Sequence, residues 1–210
     1  APRLLFAPQL GDTDAFARLW VETMLPAVPQ APSPDARATV VLSLHGLPGR
    51  LARRDPWTLN SARAVARLKP ALERAMRARG WRGVTLVSAQ EAFADGVEDP
   101  DDDRLSTREA FEAAAARGDA LAVAVPVEFL AENTDTLFLH SLLMFEGLPG
   151  YARFQGPPAD VDWSVPYVRR FRLGETDIIF TGTPGRSSVE LAAAALAESI
   201  APLLPARGAP

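Results

Sequence analysis

The sequence predicts an α/β fold: a parallel sheet covered by helices on both faces, giving three layers. Two observations carry this. Segments of strand and helix character alternate along the chain. The strand segments are continuously apolar and β-branched instead of alternating, as strands buried on both faces are. In such sheets ligands sit beyond the carboxyl ends of the strands, so residues at those ends are the first candidates for chemistry.

Leu4-Leu5-Phe6 is a candidate for a short first strand. Residues 14–25 carry Phe16, Leu19, Trp20 and Met24 at helical spacing. Four prolines between residues 26 and 37 mark a loop. The run Thr39 to Leu44 reads as a buried strand, ended by the turn His45-Gly46-Leu47-Pro48. A helix follows from Thr58 to Arg79, with Ala62, Val65, Leu72 and Met76 expected inside and a kink or break at Pro70. Val84 to Val87 is the next strand, and the acidic stretch 95–104 is a surface loop. Ser106 and Glu109 have capping-box spacing, which starts a helix running to about Arg117. Ala120 to Val127 is a buried strand and Thr134 to Met144 a helix. Residues 147–170, rich in Gly, Pro and aromatics, carry no regular pattern. Thr176 to Thr181 is a strand, and Gly182 to Gly185 a turn. Ser187 and Glu190 suggest a second capping box for an alanine-rich helix reaching about Ile200. The expected layout is one domain over residues 1–201 and a frayed tail over 202–210.

Composition narrows the chemistry. The chain has 210 residues, 48% of them apolar, and a net charge of −4. No basic patch stands out, so a nucleic-acid partner is not expected. No apolar run reaches the roughly 20 residues that a membrane helix needs, and the N-terminus lacks a signal-peptide layout. A cytoplasmic protein is expected. The absence of cysteine excludes disulfides, thiolate metal sites, iron–sulfur clusters and cysteine nucleophiles. With two histidines, a metal must be held by one histidine and carboxylates.

Two strand ends carry such groups. His45 follows the strand 39–44 directly, where a Gly-x-Pro turn would hold its imidazole at the strand mouth. Histidine exchanges protons near neutral pH; a histidine that only bonds loop backbone is the plainer alternative. Glu132 and Asp135 stand three residues apart at a helix start, on one face, and could bind a cation or relay protons. Acidic residues are also favoured there by the helix dipole, and Asn133 or Thr134 could be an ordinary cap. Gly182-Thr183-Pro184-Gly185-Arg186-Ser187-Ser188 precedes a helix and could hold an anion, or be an ordinary turn with a cap. His140 and the aspartates 101–103 read as structural and solvated, respectively.

Three segments in order resemble the ferrochelatase family, the class II chelatases. Ser43-Leu44-His45-Gly46-Leu47-Pro48 is similar to the family's Ser-x-His-[Gly/Ser]-x-Pro after a strand. Arg54-Asp55-Pro56-Trp57 resembles its Gly-Asp-Pro-Tyr at a helix start. Val125 to Leu137, VPVEFLAENTDTL, resembles Val-Pro-[Ile/Val]-x-Phe-x-x-Asp-His-x-Glu-x-Leu. The resemblance covers roughly residues 15–145 and the family's C-terminal half only.

It implies a chelatase-like domain of flavodoxin-like topology and insertion of ferrous iron, the substrate metal, into a porphyrin for haem synthesis. His45 falls on the family's base or metal ligand, Asp135 on the carboxylate facing it, and Glu132 on the aspartate of the proton or metal path. His45 and Asp135 are the implied metal-binding pair. No tightly bound cofactor is implied. The family's porphyrin cleft lies between two domains, so its second wall would come from an N-terminal half-chain or a homodimer mate. Asp135 is one methylene shorter than its counterpart, Glu132 one longer, and Asn133 replaces a histidine. The alternative is therefore a catalytically degenerate chelatase-like domain that binds a tetrapyrrole or a partner chain.

Overall fold

The computed structural model describes residues 9–45, 56–90, 105–133, 136–137, 145–148 and 157–204, the side chains of 56–60 aside. The expected strand at Leu4–Phe6, the acidic loop 95–104 and nearly all of the expected helix 134–144 lie outside them.

The described elements are α1 (Asp14–Met24), β1 (Arg37–Leu44), α2 (Pro56–Ala78), β2 (Gly83–Gln90) and α3 (Thr107–Ala116), then β3 (Leu121–Pro126), β4 (Arg169–Leu173), β5 (Thr176–Phe180) and α4 (Val189–Ile200). The five strands form one sheet in the order β2-β1-β3-β5-β4. The first four are mutually parallel, and β4 closes the edge antiparallel to β5. Residues 38–43 of β1 and all six of β3 are buried, as continuous apolar runs in the middle of a two-sided sheet require.

Side-chain alternation along these strands feeds two cores. Val40 and Leu42 of β1, Val123 and Val125 of β3, and Ile179 of β5 pack with α1 and α2. Val41, Ala122, Ala124, Ile178 and Phe180 face the other way, towards Phe111 of α3 and Phe145. Phe145 stacks on Phe171 at 4.0 Å and meets Phe180 edge-on, so rings fill the space that the small side chains of β3 leave. The result is an α/β fold with helices on both faces of a mostly parallel sheet.

α1 is capped by Thr13, whose hydroxyl accepts the Phe16 N–H, and it buries Phe16, Leu19, Trp20 and Met24 as its spacing predicts. Each such side chain contributes roughly 1.5–3 kcal/mol on burial. α2 departs from expectation at its inner face and in not being divided at Pro70. Its inner stripe is Val65, Leu68, Leu72, Ala75 and Met76, while Ala62 is exposed. Counting back four from Val65, the stripe passes through half-buried Ser61. The helix also runs unbroken through Pro70. Pro70 and Ala66 are both on the exposed side, so water can meet the carbonyl that the missing N–H leaves.

The Ser106–Glu109 capping box forms as expected, with both reciprocal hydrogen bonds present. β4 was not expected. Its arginines mask an edge strand in which exposed Arg170 and Arg172 alternate with half-buried Phe171 and Leu173. The two-residue turn Gly174-Glu175 joins it to β5, with Gly174 at φ 60°, the sign that a type II′ turn needs at its first position. Beyond α4 a 3-10 turn continues over Ala201–Leu203, into the expected frayed tail, whose residues 205–210 lie outside the described set. Among the described residues no helix is long and apolar enough to cross a membrane.

At the amino ends of the strands, Asp119 is 3% exposed. Its carboxylate accepts the Thr39 hydroxyl at 2.7 Å and Arg117 Nη2 at 2.9 Å, with Arg37 Nε 3.5 Å away. Replacing Asp119 with Ala removes a buried charge and leaves the Thr39 hydroxyl without this acceptor. The expected cost is about 2–3 kcal/mol, measured as a lower urea midpoint with unchanged slope.

The two hydrogen bonds from Ser106, the backbone one first, hold the Glu109 carboxyl below the usual glutamate range. A native pKa below the unfolded one stabilises above the unfolded pKa and stops stabilising as pH falls through the native value. Glu109→Ala is therefore expected to cost roughly 0.5 kcal/mol near neutral pH, the exposure of the site keeping it small. That difference shrinks on acidification through the carboxylate range, as urea titrations of both proteins near neutral pH and at about pH 3 will read.

Candidate functional site

The strand order sets where a site can form. From β1 the chain moves to β2 on one side, then crosses back to β3 on the other. The connections from β1 and β3 therefore leave in opposite directions, which makes their carboxyl ends the switch point where ligands of such sheets usually sit. His45 stands at the exit of β1, half-buried, and Val127, Glu128 and Phe129 at the exit of β3. The Val127 N–H donates to the Ser43 carbonyl at 3.2 Å, which carries the pairing of β1 and β3 one step past the strand end.

One residue further on, the backbone N–H of His45 donates to Glu128 Oε2 at 2.5 Å. The hydroxyl of Ser61, on α2, donates to Glu128 Oε1. The imidazole lies 6.0 Å from the Phe129 ring, tilted by 53°. Neither imidazole nitrogen has a hydrogen bond to a described residue. A cavity of about 180 Å³ opens beside Glu128 and Ser61, walled by Leu10, Phe16, Ala64, Val127 and Leu130.

Glu132 holds two neighbouring segments together. It precedes the helical turn instead of lying in it. Asn133 is the cap: its Oδ1 accepts the Thr136 N–H at 3.1 Å, and its own N–H donates to Thr136 Oγ1 at 2.9 Å. Glu132 Oε2 accepts the Thr136 hydroxyl at 2.5 Å and Oε1 the Thr183 N–H at 2.9 Å. The carboxylate thus ties the exit of β3 to the exit of β5, with lone pairs remaining on both oxygens. Asp135 and His140 lie outside the described residues, as do the aspartates 101–103. Among the described residues no group of three His, Asp or Glu side chains is arranged to hold a metal.

Of the two readings of residues 182–188, the hydrogen bonds favour the ordinary turn. The N–H of Arg186 donates to the Trp163 carbonyl, that of Ser187 to Ser164, and that of Ser188 to Gly185. Segment 163–164 has taken donors that an anion would need. The expected capping box from Ser187 to Glu190 is absent as well. A 3-10 turn, Arg186–Ser188, leads into α4, and the N-cap Ser188 makes no side-chain hydrogen bond.

Two residues at this end of the sheet escaped sequence reasoning. Glu128 sits between apolar neighbours directly after a buried strand, and that placement was its only signal. Arg169, at the start of β4, is 6% exposed. Its guanidinium lies over Phe180 at 4.4 Å and Tyr167 at 5.5 Å, and Nη2 donates to the Thr136 carbonyl at 2.7 Å. Thr136 is therefore shared by Glu132, through its hydroxyl, and Arg169, through its carbonyl.

The chain matches no family model and no curated protein.

Gly182 turns the chain beside Glu132 at φ 70°, and a Cβ there would meet the Tyr167 carbonyl oxygen at 2.6 Å and Glu132 Oε1 at 3.0 Å. Gly182→Ala is expected to cost about 1–3 kcal/mol, seen as a lower melting temperature. Glu132→Ala, which takes the acceptor from the Thr136 hydroxyl and the Thr183 N–H, is expected to cost about 1–3 kcal/mol as well.

Proposed function

We propose that this chain is a ferrochelatase-type domain that inserts a divalent iron substrate into a porphyrin, with His45 as the base. The observation that supports this most is the meeting of two of the resembling segments at one crevice. Ser43-Leu44-His45 ends β1, Val125 to Phe129 ends β3, and the two touch through the His45–Glu128 hydrogen bond and the His45–Phe129 ring contact. The parallel order β2-β1-β3-β5 agrees with a chelatase-like domain of flavodoxin-like topology.

The chemistry asks for these groups. Metallation removes two protons from pyrrole nitrogens and brings a partly desolvated cation to the macrocycle. An imidazole at the crevice takes such a proton near neutral pH. In this reading Asp135 faces His45 and shares the metal with it, and Glu132 passes protons or metal inward. The second wall of the porphyrin cleft comes from an N-terminal half-chain or a second copy, and the work is done in the cytoplasm.

One observation favours the alternative, a degenerate domain that binds a tetrapyrrole or a partner chain without turnover. Both oxygens of Glu132 already accept hydrogen bonds that hold the fold.

Anaerobic insertion of Fe²⁺ or Zn²⁺ into coproporphyrin or protoporphyrin, followed by absorbance, separates the two. The expected result is insertion by wild type and a loss of at least about a hundredfold in His45→Ala, the scale of removing a general base. Porphyrin binding without insertion, unchanged in His45→Ala, selects the alternative.

A further inference from the structure

We propose that Glu128, with Phe129, is a positioning element for His45. The proposal rests on the function given above only for what His45 does; how His45 is held is read from the fold alone.

Glu128 occupies the unspecified position of the segment Val-Pro-[Ile/Val]-x-Phe, so the resemblance gives it no role. In the fold it is the contact between three elements. It follows β3, receives the backbone N–H of His45 at the end of β1, and receives the hydroxyl of Ser61 on α2. These donors flank the chain segment between β1 and α2, so one carboxylate fastens the described end of β1 and the described start of α2's side chains to the exit of β3. A hydrogen bond from a neutral donor to a carboxylate is stronger than one to a neutral acceptor.

Phe129 completes the arrangement. Glu128 fixes the backbone of His45, and the next residue sets its ring against the imidazole at 6.0 Å. Adjacent residues thus restrain main chain and side chain of the same histidine. Neither restraint uses an imidazole nitrogen, so both nitrogens stay available for proton exchange. A base held this way meets its substrate without first losing rotational freedom.

The test uses the full chain and two readouts. By NMR, with His45→Ala and His140→Gln used to assign the imidazole signals, wild type is expected to show a downfield, protected His45 amide and ring signals shifted by Phe129. In Glu128→Ala the amide moves upfield and exchanges about ten- to a hundredfold faster, and the ring signals move towards those of free histidine. Glu128→Gln, which keeps one acceptor, falls between. Ser61→Ala, which removes the α2 leg and keeps the Glu128 carboxylate, guards against a Glu128 variant that fails to fold. It is expected to leave the His45 amide downfield.

In metal insertion, Glu128→Ala is expected to lower kcat about tenfold or more with KM little changed, and Glu128→Gln to recover part of it. An amide and ring unaffected in Glu128→Ala would overturn the proposal, and so would changed signals with unchanged kcat. If wild type inserts no metal, the proposed reaction fails, while the amide and ring signals still decide whether Glu128 positions His45.

Discussion

The buried carboxylate of Asp119 fixes the register on which the site depends. It sits just before β3, accepts the Thr39 hydroxyl of β1, and is approached by Arg37 and Arg117. Its backbone carbonyl accepts the hydroxyl of Thr176, the first residue of β5. One residue thereby joins the amino ends of three neighbouring parallel strands. A slip of one residue in β1 would move Thr39 away from Asp119 and exchange the two apolar faces. With the amino ends pinned, the carboxyl ends follow. Ser43 pairs with Pro126, so His45 comes level with Glu128 two residues later. The contact at the crevice is a consequence of the contact at the opposite end of the sheet.

At the crevice two carboxylates divide the work. Glu128 joins the exit of β3 to β1 and α2; Glu132 joins it to the exit of β5. Both lie on the segment that leaves β3, so this segment is braced on both sides. The bracing is polar because apolar contacts cannot serve there: strand ends present backbone N–H groups that burial would leave unpaired. Asn133 and Thr136 perform the same service for the turn that follows. The buried guanidinium of Arg169 is accommodated by aromatic faces and the Thr136 carbonyl.

Much of this was legible in the residues. The buried strands announced themselves as β-branched runs, α1 by its period, and α3 by a capping box whose two partners are three residues apart. What failed did so for identifiable reasons. β4 was hidden because an edge strand keeps its charges, and three arginines in five residues do not read as β-structure. Ala62 was assigned inward because alanine is apolar, although the stripe runs through Ser61. The spacing of Ser187 and Glu190 suited a capping box, but backbone pairing with segment 163–164 imposed a 3-10 turn first. At the site, His45 was legible because it follows a strand. Glu128 was not, since its two partners come from elements distant in sequence. Hydrogen bonds of that kind become visible only when the register is known.

The two carboxylates also bear differently on the choice between a working and a degenerate site. A carboxylate that relays protons must take a proton on one of its oxygens during turnover, and an oxygen that takes a proton gives up part of its capacity to accept hydrogen bonds. Glu132 accepts two, from Thr136 and Thr183, so a relay through Glu132 would weaken the tie between the exits of β3 and β5 each time it took a proton. His45 carries no such burden. Its restraints act through its backbone N–H and its ring face, and a proton can come and go at the imidazole without breaking either. At His45 the restraints lie off the imidazole nitrogens, and at Glu132 they lie on the carboxylate oxygens themselves. Within the proposed reaction, the base would be the group whose nitrogens the fold leaves out of its own bonding, while any relay through Glu132 would share its oxygens with the bonds that hold the strand exits.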